Sequence, residues 1–302
     1  MSRNDLLAIG HTALDYIIKL ENFPEANSSA SIENMRTLDG GAAANVAVVG
    51  ANLGLKTGLI SAVGDEFKNS RYQKKMEKLN IDIEDMIIVE NEKSPTAFVL
   101  TNANGDQISY FYWGAGKEFS KSIVPTKAIE KADIVHLATG DPDFNLRGGS
   151  TAKKLEKFVS FDPGQDLHMY DDERLKEMIE NSNIVFGNHY EIERILNRLS
   201  LDINQLRDLG PEIVVKTCGK EGSTIYGKNK IQIDSIYRPA VDPTGAGDSY
   251  RCGFLKSYHE GKSLEDCAKF ASSVSSFIVE KEGCQTNIPN EEEAIKRMKD
   301  FY

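Results

Sequence analysis

Short apolar runs recur along this chain with helix-like stretches between them. Leu6-Leu-Ala-Ile-Gly10 is the first run. Thr57 to Val63, Asp133-Ile-Val-His-Leu-Ala138, Phe158-Val-Ser-Phe-Asp162, Ile184-Val-Phe186 and Pro211-Glu-Ile-Val-Val-Lys216 follow. Each reads as a buried strand. Gly41 to Leu53, rich in small residues and closed by Gly54, reads as a helix, as do Asp172 to Asn181 and Tyr190 to Leu199. This alternation implies an α/β fold: a doubly wound, mostly parallel central sheet with helices on both faces. Ligands bind such sheets at the carboxyl ends of the strands. The chain closes on three helical patterns, Ser249 to His259, Ser263 to Lys281 and Asn290 to Lys299.

Two regions break the alternation. Residues 12–38 and 94–114 are strand-like, and Gln107-Ile-Ser-Tyr-Phe-Tyr-Trp113 alternates in character. They are expected to form a small second sheet, used as a lid over a site or as an oligomer interface. The 302 residues contain no repeat and no low-complexity linker, so a single domain spanning 1–302 is the simplest organisation.

A net charge of −10 argues against a nucleic-acid backbone as partner, though not against a nucleotide. No apolar run is long enough for a bilayer, so no membrane partner is expected. The start, Met-Ser-Arg-Asn-Asp, lacks the pattern of a secretory signal, and a cytoplasmic location is expected. Cys218, Cys252, Cys267 and Cys284 form no CxxC pair, and the five histidines do not pair at ligand spacing, so neither a zinc site nor a disulfide framework is expected.

Chemistry concentrates in Val241-Asp-Pro-Thr-Gly-Ala-Gly-Asp-Ser-Tyr250. Gly245, Ala246 and Gly247 let backbone N–H groups approach an anion, and a helix start adds unpaired donors and a positive dipole end. Asp248 beside them can take a proton from an attacking hydroxyl. The plainer alternative is a tight turn with a capping carboxylate. The segment is neither a Walker A loop nor a GxGxxG fingerprint. Asp39-Gly-Gly-Ala-Ala-Ala-Asn45 is a second cluster of small residues, where Gly40 and Gly41 permit close approach and Asn45 can both donate to and accept from vicinal hydroxyls; close helix packing is the alternative. Asp15 can accept from two hydroxyls. Asn188 and Glu191, three apart at a helix start, suit phosphate and a hydrated Mg²⁺, or equally a helix cap. Lys216-Thr-Cys-Gly-Lys-Glu-Gly222 ends a strand in a two-glycine turn that either lines a nucleotide pocket or merely turns a hairpin.

Taken together, in this order, these segments resemble the ribokinase-like (PfkB) carbohydrate and nucleoside kinases over nearly the whole chain. Gly40 to Asn45 is similar to that family's N-terminal signature and Asp242 to Leu255 to its C-terminal one, with departures at Pro243 and Cys252. Gly10-His-Thr-Ala-Leu-Asp-Tyr16, Trp113-Gly-Ala-Gly-Lys117, Ala138-Thr-Gly-Asp-Pro142, Ser160-Phe-Asp-Pro-Gly-Gln165 and Gly283-Cys-Gln-Thr-Asn-Ile-Pro289 look most like archaeal-type nucleoside kinases. The resemblance implies an ATP-dependent, Mg²⁺-requiring kinase acting on the 5′-hydroxyl of ribonucleosides such as inosine, guanosine, cytidine and adenosine. Asp248 would be the base, and Gly245, Ala246 and Gly247 the anion hole. Asp15, Gly40, Gly41 and Asn45 would hold the ribose. Gln107 would reach in from the lid, and Asp162 would line the cleft. Asn188, Thr217, Gly219 and Gly222 would contact ATP, with Glu191 and Asn188 organising Mg²⁺ through water. Asp242 and Thr244 would neighbour a monovalent cation such as K⁺, and the lid would pair two copies as a homodimer.

Two alternatives remain open at this point: a sugar kinase of the same family, acting on ribose or a fructose, and a non-catalytic nucleotide or nucleoside sensor. The retained Asp248 argues against the sensor. A base, unlike a sugar, needs an apolar or stacking slot, for which Phe111, Trp113 and Phe144 are candidates.

Overall fold

The apolar runs form strands whose alternate side chains enter two separate cores. The structure, a computed structural model, describes residues 3–302, so the first two positions of the chain start lie outside it. In chain order the elements are β1 (Asn4–Ile9), β2 (Ala13–Leu20), β3 (Ile32–Gly40), α1 (Ala42–Asn52), β4 (Thr57–Ile60), β5 (Ala62–Gly64), α2 (Arg71–Lys78), β6 (Ile87–Val89), β7 (Thr96–Thr101), β8 (Gln107–Tyr112), α3 (Thr126–Glu130) and β9 (Ala132–Leu137). Then come α4 (Pro142–Lys154), β10 (Phe158–Phe161), α5 (Asp172–Glu180), β11 (Ile184–Asn188), α6 (His189–Leu199), α7 (Ile203–Leu209), β12 (Ile213–Thr217), β13 (Ser223–Tyr226), β14 (Lys230–Ile233), α8 (Ala246–His259), α9 (Leu264–Ile278) and α10 (Glu291–Phe301).

Eight strands make the central sheet in the order β14-β13-β12-β11-β10-β9-β1-β4. It is parallel except for β13 and β14 at one edge. On β1, Leu6 and Ala8 face a core shared with α1, α8 and α9, while Leu7 and Ile9 face one shared with α3 to α7. That two-residue period turns one apolar run into contacts for both helical layers.

The run from Thr57 to Val63 is not one strand. β4 stays in the central sheet, while β5 pairs with β6 in a separate two-stranded sheet. Ser61, at the break, accepts a hydrogen bond from the Thr12 N–H through its hydroxyl oxygen, so this position is tied to the loop after β1 where the main ladder ends.

β3, β2, β7 and β8 form a four-stranded sheet of their own. Asp15 registers with Leu38 on one side and Ala97 on the other, and Ala97 registers with Phe111. These residues therefore share one face. The other face carries Tyr16, Met35, Phe98, Ile108, Tyr110 and Tyr112, with Met35 56% and Tyr110 61% exposed and Tyr16 stacked on Phe98.

Among the longer helices the starts are of two kinds; the five-residue α3 begins on Pro125 without a side-chain cap. α2, α4, α5, α6, α7, α9 and α10 each begin with a Ser, Asp or Asn side chain accepting a first-turn N–H. α1 and α8 begin instead on Gly41 and Gly245, at φ +94° and +79°, with no side-chain cap. These two helices pack together and bring their uncapped ends to one place.

Candidate active site

The carboxyl ends of the parallel strands line up beside those two helix starts. Asn188 and Thr217 are register partners at the ends of β11 and β12, and Asp162 directly follows β10.

At the start of α8, the Ala246 N–H is committed to the Pro243 carbonyl at 3.2 Å. The Ala246 part of the expected anion hole is therefore turned inward. The N–H groups of Gly245, Gly247 and Asp248 have no partner among the described residues, which leaves three donors at a positive dipole end. Gly245, at φ +79°, lies against Cys284 and needs glycine, while a side chain at Gly247 would displace the Arg251 guanidinium.

Across from α8, the Asn45 carboxamide donates to Asp248 Oδ2 at 2.8 Å. Gly41 lies so close to His11 and Ala13 that a Cβ would sit 2.5 Å from the His11 carbonyl oxygen, and Gly40 lies against the Asp15 carboxylate. Burial, reinforced by Asp248, Asp242 and Asp39, lifts the Asp15 carboxyl to about 7. Burial also raises Asp248, opposed by Arg251 and by the hydrogen bond from Asn45.

Arg251 was not singled out in the sequence. It stands one turn after Asp248 on α8, so the two share a face. It is 7% exposed and pairs with Asp162, itself 2% exposed, donating to Oδ1 at 2.9 Å. It also lies 3.8 Å from Glu191 Oε2. Asp162 therefore does not present a free carboxylate to the cleft, because its charge is engaged by Arg251. Burial still raises the Asp162 carboxyl, with Arg251 pulling it back. One guanidinium serves three carboxylates here, and among the described residues no other cation pairs with them.

Asn188 and Glu191 form a reciprocal capping box on α6: the Asn188 N–H donates to Glu191 Oε2 and the Glu191 N–H to Asn188 Oδ1. Glu191 Oε1 has no donor among the described residues, which suits a water-mediated cation. Asp242 accepts from the N–H of Thr244 through Oδ1 and of Gly283 through Oδ2. Gly219 and Gly222 turn the chain after β12 at φ +56° and +88°, with open space at Gly219.

The remaining candidates fall in different places. Gln107 lies on the same lid face as Asp15 but at the far end of β8, in register with Thr101. It stands four residues, roughly 13 Å, from Phe111 along the strand. Phe144 is fully buried against Phe119 and belongs to the core. Phe111 and Trp113 instead flank the His11 ring, at centroid distances of 5.1 and 4.6 Å, on the Asp15 side of the lid.

A doubly wound sheet, a small covering sheet, and a carboxylate at an uncapped glycine helix start together define a ribokinase-like small-molecule kinase. The chain belongs to the pfkB family of carbohydrate kinases, whose profile matches residues 3–291. It is 58% identical over 293 residues to a nucleoside kinase of Methanothermobacter thermautotrophicus, covering 97% of this chain and 95% of that one. It is 44% identical over 297 residues to a nucleoside kinase of Methanocaldococcus jannaschii, covering 97% and 96%. The crystal structure of a Methanocaldococcus jannaschii nucleoside kinase superposes with a TM-score of 0.95 at 42% identity, over 99% of this chain and 100% of that one. A Burkholderia thailandensis nucleoside kinase in complex with inosine shares the fold, with a TM-score of 0.90 at 23% identity and 98% of each chain covered. The chain is thus a phosphotransferase with an alcohol as acceptor.

Proposed function

We propose that this chain transfers the γ-phosphoryl group of ATP to the 5′-hydroxyl of ribonucleosides. The observation that carries the reading is Asp248. It sits beside three free backbone N–H groups at the start of α8, is held by Asn45, and faces Asp15 across the cleft. Both nucleoside kinases at 58% and 44% identity support a nucleoside as acceptor.

Asp15 and Asn45 would hold the ribose hydroxyls, with Gly40 and Gly41 admitting the ring. Phe111 and Trp113 would wall the base. Asp248 would accept the proton of the acceptor hydroxyl as its oxygen attacks phosphorus. The N–H groups of Gly245, Gly247 and Asp248 would take up charge on the phosphoryl oxygens, where a loose transition state leaves most of the work to positioning and electrostatics. Arg251 keeps positive charge beside this point and favours the ionised form of Asp248. Mg²⁺, when bound, neutralises phosphate charge. Glu191 Oε1 would hold it through water, and the Asn188 carboxamide would reach the phosphates. Thr217, Gly219 and Gly222 would line the ATP site. Asp242 and Thr244 would border a K⁺ site, since each Asp242 oxygen keeps a lone pair beyond its backbone bond. The exposed apolar face of the lid supports pairing with a second copy into a homodimer.

A sugar as acceptor is the second reading. It is favoured by a likeness to an ATP-dependent ribose-1-phosphate kinase of Halopiger xanaduensis at 27% identity over 93% of this chain and 94% of that one. ADP formation with Mg·ATP, with and without K⁺, decides between them. The acceptors are inosine, guanosine, cytidine, adenosine, ribose, fructose and fructose 6-phosphate. Turnover with several nucleosides and little with free sugars is expected. Turnover confined to a sugar would overturn the nucleoside reading, and none with any acceptor would favour a sensor.

A further inference from the structure

Asn45 is the inner end of a hydrogen-bonded chain that runs out to the root of the lid. Lys75 Nζ on α2 donates to Gln285 Oε1 at 2.7 Å. Gln285 Nε2 donates to Asn45 Oδ1 at 2.8 Å and to Tyr72 Oη at 2.6 Å. Asn45 Nδ2 donates to Asp248 Oδ2. The Tyr72 hydroxyl donates a hydrogen bond to the Gly40 carbonyl at 2.8 Å, and Asp39 holds Lys75 from the other side at 3.3 Å.

Each link has one permitted direction. An ammonium only donates, so Gln285 must offer it the carbonyl oxygen. The Gln285 NH₂ then faces Asn45, which must accept through its own carbonyl oxygen. The Asn45 NH₂ is left facing Asp248, which when ionised can only accept. Turning either amide over would place NH₂ against NH₃⁺ at one end or C=O against carboxylate at the other. Lys75 thereby sets the orientation of an amide two residues away in the chain of contacts, and such chains polarise cooperatively at low dielectric.

We propose that Gln285 and Lys75 are positioning residues for phosphoryl transfer, locking the Asn45 carboxamide so that its NH₂ keeps Asp248 ionised and aimed at the acceptor hydroxyl. This rests on the reading of Asp248 as the base. Gln285 belongs to the Gly283–Pro289 segment, to which no other role has been assigned. Other charged or titratable groups face Asp248 as well: Arg251 on its own helix, Asp15 from β2, Glu191 from α6, Asp162 after β10, and Cys284 in the closing loop. Asp15, Asp162 and Glu191 oppose ionisation of Asp248 and Arg251 favours it; only Asn45 carries the influence of the lid root.

The test uses the full chain with Mg·ATP and its best acceptor. Gln285→Leu removes both amide groups at similar size, and Asn45 is free to turn. A fall in kcat of about tenfold at pH 7, with the acid limb of the kcat–pH profile moved to higher pH and the KM for ATP unchanged, is expected. Gln285→Glu can only accept, forces the Asn45 carbonyl toward Asp248, and should fall below Gln285→Leu. Lys75→Met, at a partly exposed side chain that can be lost without unfolding, should shift the same limb in the same direction by a smaller amount. An acid limb that stays in place in Gln285→Leu and Lys75→Met overturns the proposal, whatever happens to stability. Asp248→Asn separates the two layers. If it is inactive while Gln285→Leu and Lys75→Met behave as the parent, the positioning role fails and the base remains. If it turns over normally, the base reading itself fails.

Discussion

Arg251→Met is the most informative single change in the site. It removes the one guanidinium that faces Asp162, Glu191 and Asp248 and keeps a flexible apolar stem in its place. Asp162 is 2% exposed, so an unpaired charge there has no water to turn to. Breaking a buried pair from one side costs about 3–5 kcal/mol. Burial already pushes the Asp162 carboxyl up, so the group can escape part of that cost by holding a proton. A carboxyl raised in the folded chain binds protons that the unfolded chain has lost, so its burden is light at low pH and grows as pH rises through the folded value. Urea unfolding should therefore show a deficit of about 3 kcal/mol at pH 8 that shrinks at pH 5.5. Arg251→Met combined with Asp162→Leu removes both partners and should recover stability to within about 1 kcal/mol of the parent. Turnover should not recover. Both variants lose the positive charge beside the anion hole, and a fall in kcat of roughly 10²-fold is expected in each. If the double variant regains kcat along with stability, Arg251 serves folding alone and the electrostatic role is wrong.

Asp248→Asn should keep its fold and its acceptor binding while kcat drops by about 10²–10⁴-fold in a coupled ADP assay; near-normal turnover would remove Asp248 from the base role. Asp15 titrates near 7 in the folded chain, so acceptor KM should fall as pH rises through about 7, when the carboxylate can accept from both hydroxyls; a KM flat from pH 5.5 to 8.5 would contradict that contact. Unliganded stability should run the opposite way, declining as pH rises from the free carboxyl value of 3.8 to about 7 and levelling above it, and Asp15→Asn should flatten the decline in a thermal scan. Tyr110→Asp on the outer lid face should shift the sedimentation of the chain toward monomer, and an unchanged sedimentation coefficient would count against pairing through the lid.

The sheet, both helical layers and the helix starts at Gly41 and Gly245 follow from local pattern, because apolar runs and glycines act on their own neighbourhood. The break at Ser61 did not, since the residue there is tied to Thr12, 49 positions away. Asp248, Asn45 and Asp15 were legible as chemistry next to small residues. Arg251 left a weaker signal, an arginine one turn after the carboxylate on the same helix. Its partner Asp162 lies 89 positions distant, so the pairing leaves no local mark in the sequence. Gln107 shows a related limit: alternation fixes which face of a strand a residue occupies but not how far along the sheet its neighbours end.

The bare starts of α1 and α8 bear on how long a molecule of this enzyme survives. A side-chain cap contributes about 1 kcal/mol, and these two helices lack one where the other long helices have it. Phosphate and acceptor oxygens would fill the vacancy, and a ligand at a hundred times its Kd adds about 2.7 kcal/mol to the folded state. A starved enzyme would then open more often than a working one and offer itself sooner to proteases. Supply of nucleoside and nucleotide would set the protein's abundance as well as its flux, without any dedicated regulatory site.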